Sequence, residues 1–102
     1  MRFTQQLEGG TGTLRLEGRF TFECHPGFKA STRAMLSTQG LTRLVLDMEA
    51  VTFMDASSLG MVLLLRESAG ERAVSIILQR PSHTVRNLLK IVQFEKLFEI
   101  LP

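Results

Sequence analysis

Asp55-Ala56-Ser57-Ser58 follows the apolar run LVLDMEAVTFM (44–54) and precedes the apolar segment Leu59-Gly60-Met61-Val62-Leu63-Leu64-Leu65. A run of short polar residues between a strand-like and a helix-like segment supplies side-chain oxygens to the unpaired N–H groups of a first helical turn. The helix dipole favours negative charge at that point. The chemistry on offer is therefore capping and, through the serine hydroxyls, phosphorylation. A phosphate there would bring roughly −1.5 to −2 charges at neutral pH and change which partner can dock.

Other candidates are weaker. Cys24 stands next to His25, but adjacent loop residues seldom point together, so a thiolate dyad is not expected. His25 and His83 are far apart and lack a second ligand at metal spacing, so neither a metal site nor a cofactor is expected. No Gly-rich phosphate loop and no G-x-S-x-G elbow is present. Without an acid–base constellation, the chain reads as a binding module and not an enzyme.

These residues must be positioned by the flanking elements. Residues 2–8 and 13–17 alternate with period two around Gly9-Gly10, which predicts a β-hairpin. Gly18-Arg19-Phe20-Thr21-Phe22 is expected to lead out of it, and Pro26 fits the first turn of a helix to about Ser37 that Gly40 closes. Leu41 to Met48 reads as a central strand covered by helices. A second helix is expected from Asp55 to about Ser68, stopped by Ala69-Gly70, and a buried strand over 73–78. Pro81-Ser82 opens a third helix, in which Val85, Leu88, Leu89 and Val92 share a face. A short final strand is expected between Phe94 and Leu101. The order β-β-α-β-α-β-α-β predicts an α/β domain over residues 1–102, with a mixed β-sheet of about four to five strands and helices packed mainly on one face.

Helix two is apolar nearly all round. Leu59, Val62 and Leu63 form one stripe and Met61, Leu64 and Leu65 another, so one stripe covers the sheet while the other meets neighbouring helices or a partner. Met61, an adaptable side chain near Asp55, is expected to be an exposed contact.

With 102 residues, 44% of them hydrophobic and 22% charged, the chain is long enough for one core. The net charge of +2 is small, its basic residues are dispersed, and it has no Trp or Tyr, which argues against nucleic-acid binding. A single cysteine excludes an internal disulfide and fits a reducing cytoplasm. The start MRFTQQLEGG has no apolar signal region, and no apolar run approaches the roughly 20 residues needed for a bilayer span. A soluble, cytoplasmic protein without membrane insertion is expected.

The 44–60 stretch resembles the hallmark of the STAS family, that of the anti-sigma factor antagonists, a strand ending in Met/Leu-Asp-Ser-Ser/Thr-Gly/Ala-Leu-Gly and followed by an apolar helix. Phe53, Met54, Asp55, Ser57, Leu59 and Gly60 match. The resemblance extends to Gly18-Arg19-Phe20 and to the closing pattern from Pro81 to Leu89 with Phe94 and Leu97-Phe98. Two positions depart from the pattern. Ala56 occupies the family's phosphoserine position, and Ser58 stands where Gly or Ala is usual. The phosphosite is therefore absent unless Ser57 or Ser58 replaces it.

The resemblance implies a single STAS domain acting as an anti-sigma factor antagonist (anti-anti-sigma factor). Such a protein binds a serine-kinase-type anti-sigma factor, or a related kinase/phosphatase regulator, and frees the sigma factor by partner switching. With Ala56 in place, the chain is expected to be biased toward the bound state. The implied partner surface comprises Asp55, Ala56, Ser57, Ser58, Leu59 and Met61, together with Phe20, Thr21, Phe22 and His25 from the neighbouring loop. The alternative is a STAS subunit of an ABC-type lipid transport system that binds its ATPase; a small-molecule or nucleotide sensor is a third class, supported by no motif.

Overall fold

The computed structural model describes residues 1–102. Strands β1 (Arg2–Glu8) and β2 (Thr11–Phe20) lead through a 3-10 turn (Phe22–Cys24) into α1 (His25–Leu36). There follow β3 (Arg43–Met54), α2 (Ala56–Gly70), β4 (Ser75–Gln79), α3 (His83–Ile91), a second 3-10 turn (Phe94–Lys96) and β5 (Glu99–Leu101). The five strands form one sheet in the order β1-β2-β3-β4-β5, with β1 antiparallel to β2 and all later neighbours parallel. This is the expected mixed α/β architecture.

Pairing of Glu8 with Thr11 leaves a two-residue hairpin turn, and Gly9 provides its left-handed φ of +61°. Beyond the hairpin, β2 does not give way to a connecting loop at Gly18. It continues to Phe20, because the register shifts near Arg15–Glu17 and Gly18–Arg19 let the strand bend while staying paired with β3. Gly18 adopts φ +108° there. Strand β3 begins at Arg43 and continues beyond the Leu- and Val-rich part that ends at Met48, running to Met54, as the apolar run into Asp55 leads one to expect. The pairing ends with Phe20 beside Met54, so the C-terminal ends of two parallel strands deliver their following segments side by side.

Leu14, Leu16, Leu44, Leu46, Met48 and Leu78 join side chains from all three helices in one buried cluster. Phe20 and Phe28 pack within it at 5.0 Å between ring centroids. Val45 and Ile77 lie outside that cluster, on the opposite face of the sheet, and are buried there in the two central strands. The face away from the helices also carries Asp47, 4% exposed, whose carboxylate accepts from Arg80 at 2.6 Å and from Arg15 at 3.3 Å.

Helix α2 resolves the ambiguity of its apolar sequence. Ser58, Met61, Val62, Leu65 and Ala69 form its buried face, while Leu63 and Leu64 are exposed. The buried set takes Val62 from one expected stripe, Met61 and Leu65 from the other, and adds Ser58 and Ala69, because sequence patterning has no phase when nearly every side of a helix is apolar. The helix passes Ser68 and ends at Gly70; the chain then turns through Ala73 at φ +56° into a strand that starts at Ser75. Helix α3 starts at His83 after Ser82, whose hydroxyl accepts from the Val85 N–H at 3.3 Å. Val85 and Leu89 are buried, whereas Val92 lies past the helix end and is exposed. No helix is long and apolar enough to cross a membrane.

Candidate partner-binding site at the start of helix α2

The adjacent ends of β2 and β3 place the 3-10 turn next to the first turn of α2, and Asp55 ties the two together. Its N–H donates to the Phe20 carbonyl at 3.3 Å. One carboxylate oxygen accepts from the Ser58 N–H at 2.8 Å and the other from the Phe22 N–H at 3.1 Å. In return the Ser58 hydroxyl donates to the Asp55 carbonyl at 2.7 Å. The Ser58 N–H is the main influence holding the Asp55 carboxyl below the usual range; partial burial opposes it and the Phe22 N–H reinforces it. Asp55 is thus an ionised cap that also fixes the neighbouring loop.

The implied surface residues fall into two groups. Ala56, Ser57 and Phe22 are exposed, Phe22 by 67%, while Thr21, His25, Asp55 and Leu59 are half-buried. Phe20, Ser58 and Met61 are buried, which corrects the expectation that they lie on the surface. Phe20 points into the core against Phe28. Ser58 is 0% exposed because the helix turns its side chain inward under the Asp55 cap. Met61, expected to be exposed, is 6% exposed because it shares the core face of α2 with Val62 and Leu65. Leu64 at 60% exposure, together with Leu63, takes its place beside Phe22, Ser57 and Gly60. Sequence reading missed Leu63 and Leu64 as surface groups; the signal was an apolar helix with more Leu than one buried face accommodates.

No group of three His, Cys, Asp or Glu residues is placed to hold a metal ion. Cys24 is buried and its thiol donates to the Arg19 carbonyl at 3.2 Å. Phe53, exposed on β3, lies under the Arg19 guanidinium at 4.3 Å.

A mixed five-strand sheet delivering a capped helix start beside an aromatic loop defines an α/β domain of the STAS type. The chain belongs to the STAS family: the model described as "Mlab, STAS domain" matches residues 3–102. A STAS-domain containing protein of Pseudomonas aeruginosa (strain UCBPP-PA14) is 39% identical over 93 residues, covering 91% of this chain and 90% of that one. An anti-sigma factor antagonist from Mycobacterium paratuberculosis superimposes with a TM-score of 0.83 at 17% identity, over 99% of this chain and 85% of the other. The Bacillus cell fate determinant SpoIIAA in its phosphorylated form gives 0.74 at 22% identity, over 97% and 90%. At those identities the two structures share the fold.

Proposed function

We propose that this protein is an anti-sigma factor antagonist: a cytoplasmic, non-enzymatic regulator that binds a serine-kinase-type anti-sigma factor through the Asp55 end of α2 and so controls transcription by partner switching. The observation that carries the reading is the Asp55 bridge, which holds exposed Phe22 beside exposed Ala56 and Ser57 in one rigid surface. A partner seated there buries Phe22 and Leu64 as apolar anchors. A phosphate on this turn is tolerated by the free domain, because the helix dipole and open solvent favour it. In the complex it becomes a desolvated double charge without a counter-ion, which can cost several kcal/mol.

Ala56 carries no hydroxyl, so the domain stays in its binding state unless Ser57 is the residue modified. Ser58 does not serve, since its hydroxyl is buried and already donates to Asp55. Neither nucleic acid nor membrane insertion enters the mechanism.

The test is binding to a purified kinase-fold anti-sigma factor. Phe22→Ala and Leu64→Ser should each weaken the complex by roughly tenfold or more. Ala56→Ser should accept phosphate from the kinase with ATP and then release the partner, while the parent chain stays bound. Retention of affinity in all these variants would overturn the reading.

The missing hydroxyl also favours a second reading, a STAS subunit bound to the ATPase of an ABC-type lipid transport system, where no phosphoserine is needed. That reading predicts capture of a transport ATPase and indifference to the kinase.

A further inference from the structure

Helices α1 and α2 leave between them an open groove of about 280 Å³, with Phe28, Met61 and Leu65 at its base and His25, Lys29 and Arg33 along α1. No carboxylate lines it. Lys29 and Arg33 are one helical turn apart at spacing i, i+4, an arrangement in which like charges repel. Helix α1, HPGFKASTRAML, contains no acidic residue to relieve them. The nearby cations differ: Arg72 donates to the Leu36 carbonyl at 3.2 Å and Arg66 to the Leu97 carbonyl at 3.0 Å. Lys29 and Arg33 make no ion pair and no side-chain hydrogen bond.

The groove is continuous with the surface at the start of α2, because His25, Met61 and Leu64 line both it and the depression beside Phe22 and Ser57. We infer that this groove docks an acidic, apolar segment of the protein partner: apolar side chains enter between the helices and carboxylates meet Lys29 and Arg33. The inference rests on the partner-binding reading above and specifies what the partner presents. A membrane surface fits less well, since anionic bilayers are recognised by clusters of about four to eight basic residues and only two flank this groove. Glu67 borders the neighbouring depression and not the groove, so it orients the segment without neutralising its recognition.

The probe is a set of amphipathic peptides of about 14 residues, enough to span helix α1, with Leu and Phe on one face and Glu on the other, each paired with a Gln counterpart. Amide shifts are followed on the isotopically labelled protein. Acidic peptides should perturb residues 25–36 and 61–68 and bind at least about tenfold more tightly than the Gln peptides. Lys29→Glu with Arg33→Glu, both at exposed sites, should abolish that preference while the far-ultraviolet spectrum stays unchanged, and Leu64→Ser should weaken both peptide types. Equal binding of Glu and Gln peptides, shifts confined to other surfaces, or binding only to phosphatidylglycerol vesicles would overturn the inference. The partner assay separates the two failures. If the anti-sigma factor still responds to Phe22→Ala and ignores the Lys29/Arg33 reversal, the groove falls and the regulator reading stands; if the peptides dock but no kinase-fold protein binds, the reverse holds.

Discussion

The carboxylate of Asp55 accepts from the N–H of Phe22 at 3.1 Å across 33 residues of chain, while its other oxygen caps α2 through the Ser58 N–H at 2.8 Å. One side chain thus joins the loop after β2 to the helix after β3. A cap of this kind stabilises its own helix; here it also fixes the separation between an exposed aromatic ring and the first turn of α2.

Replacing Asp55 by Ala should lower the melting midpoint by about 4–8 °C, the scale of a lost cap in a domain this size. Asp55→Ser should recover part of the cap but not the bond to Phe22, so stability returns further than partner affinity. Calorimetry and titration on the same samples check this.

Acid should destabilise the fold through two carboxylates. Burial pushes the Asp47 carboxyl up, but the hydrogen bonds from Arg80 and the Glu49 N–H and the charges of Arg80 and Arg15 leave it net below its ordinary value. The Asp55 carboxyl is depressed chiefly by the Ser58 N–H. A group depressed in the folded state contributes stability that is fully present above its unfolded pKa, near 3.9, and lost as pH falls through the folded pKa. Urea midpoints should therefore be flat with respect to these groups above about pH 5 and fall below about pH 4. The fall should be shallower in Asp47→Asn and in Asp55→Asn.

Charge at Ser57 and charge at Ser58 should have different consequences. Ser57→Glu sits on the exposed first turn, where negative charge is favoured, and should leave the melting midpoint nearly unchanged while weakening partner binding. Ser58→Glu must bury a carboxylate in a site with no exposure and should unfold much of the protein at 37 °C. Equal stability of the two variants would refute the placement of Ser58.

Arg80 combines a left-handed backbone, φ +55°, with the 2.6 Å contact to Asp47. Arg80→Ala removes the ion pair and keeps the strain, whereas Arg80→Gly removes both. The Gly variant should melt a few degrees higher than the Ala variant, and both below the parent; thermal denaturation of the three proteins decides it.

Local chemistry along the chain determines a large part of this fold. The period-two hairpin around Gly9-Gly10, the apolar run into Met54, the Asp55 helix start and the Ser82 start of α3 each follow from interactions within a few residues, so they were legible from the sequence. The STAS pattern rests on the same local features. Tertiary structure decided what local patterning leaves open. Strand β2 continues past Gly18 because β3 is there to pair with it. The buried face of α2 is chosen by the sheet beneath it, which draws in Ser58 and Met61 and turns Leu64 outward. The bond from Phe22 to Asp55, the Arg80–Asp47 pair and the groove beside Lys29 and Arg33 join residues from separate elements. Their geometry exists only once strand register and helix packing bring those elements together.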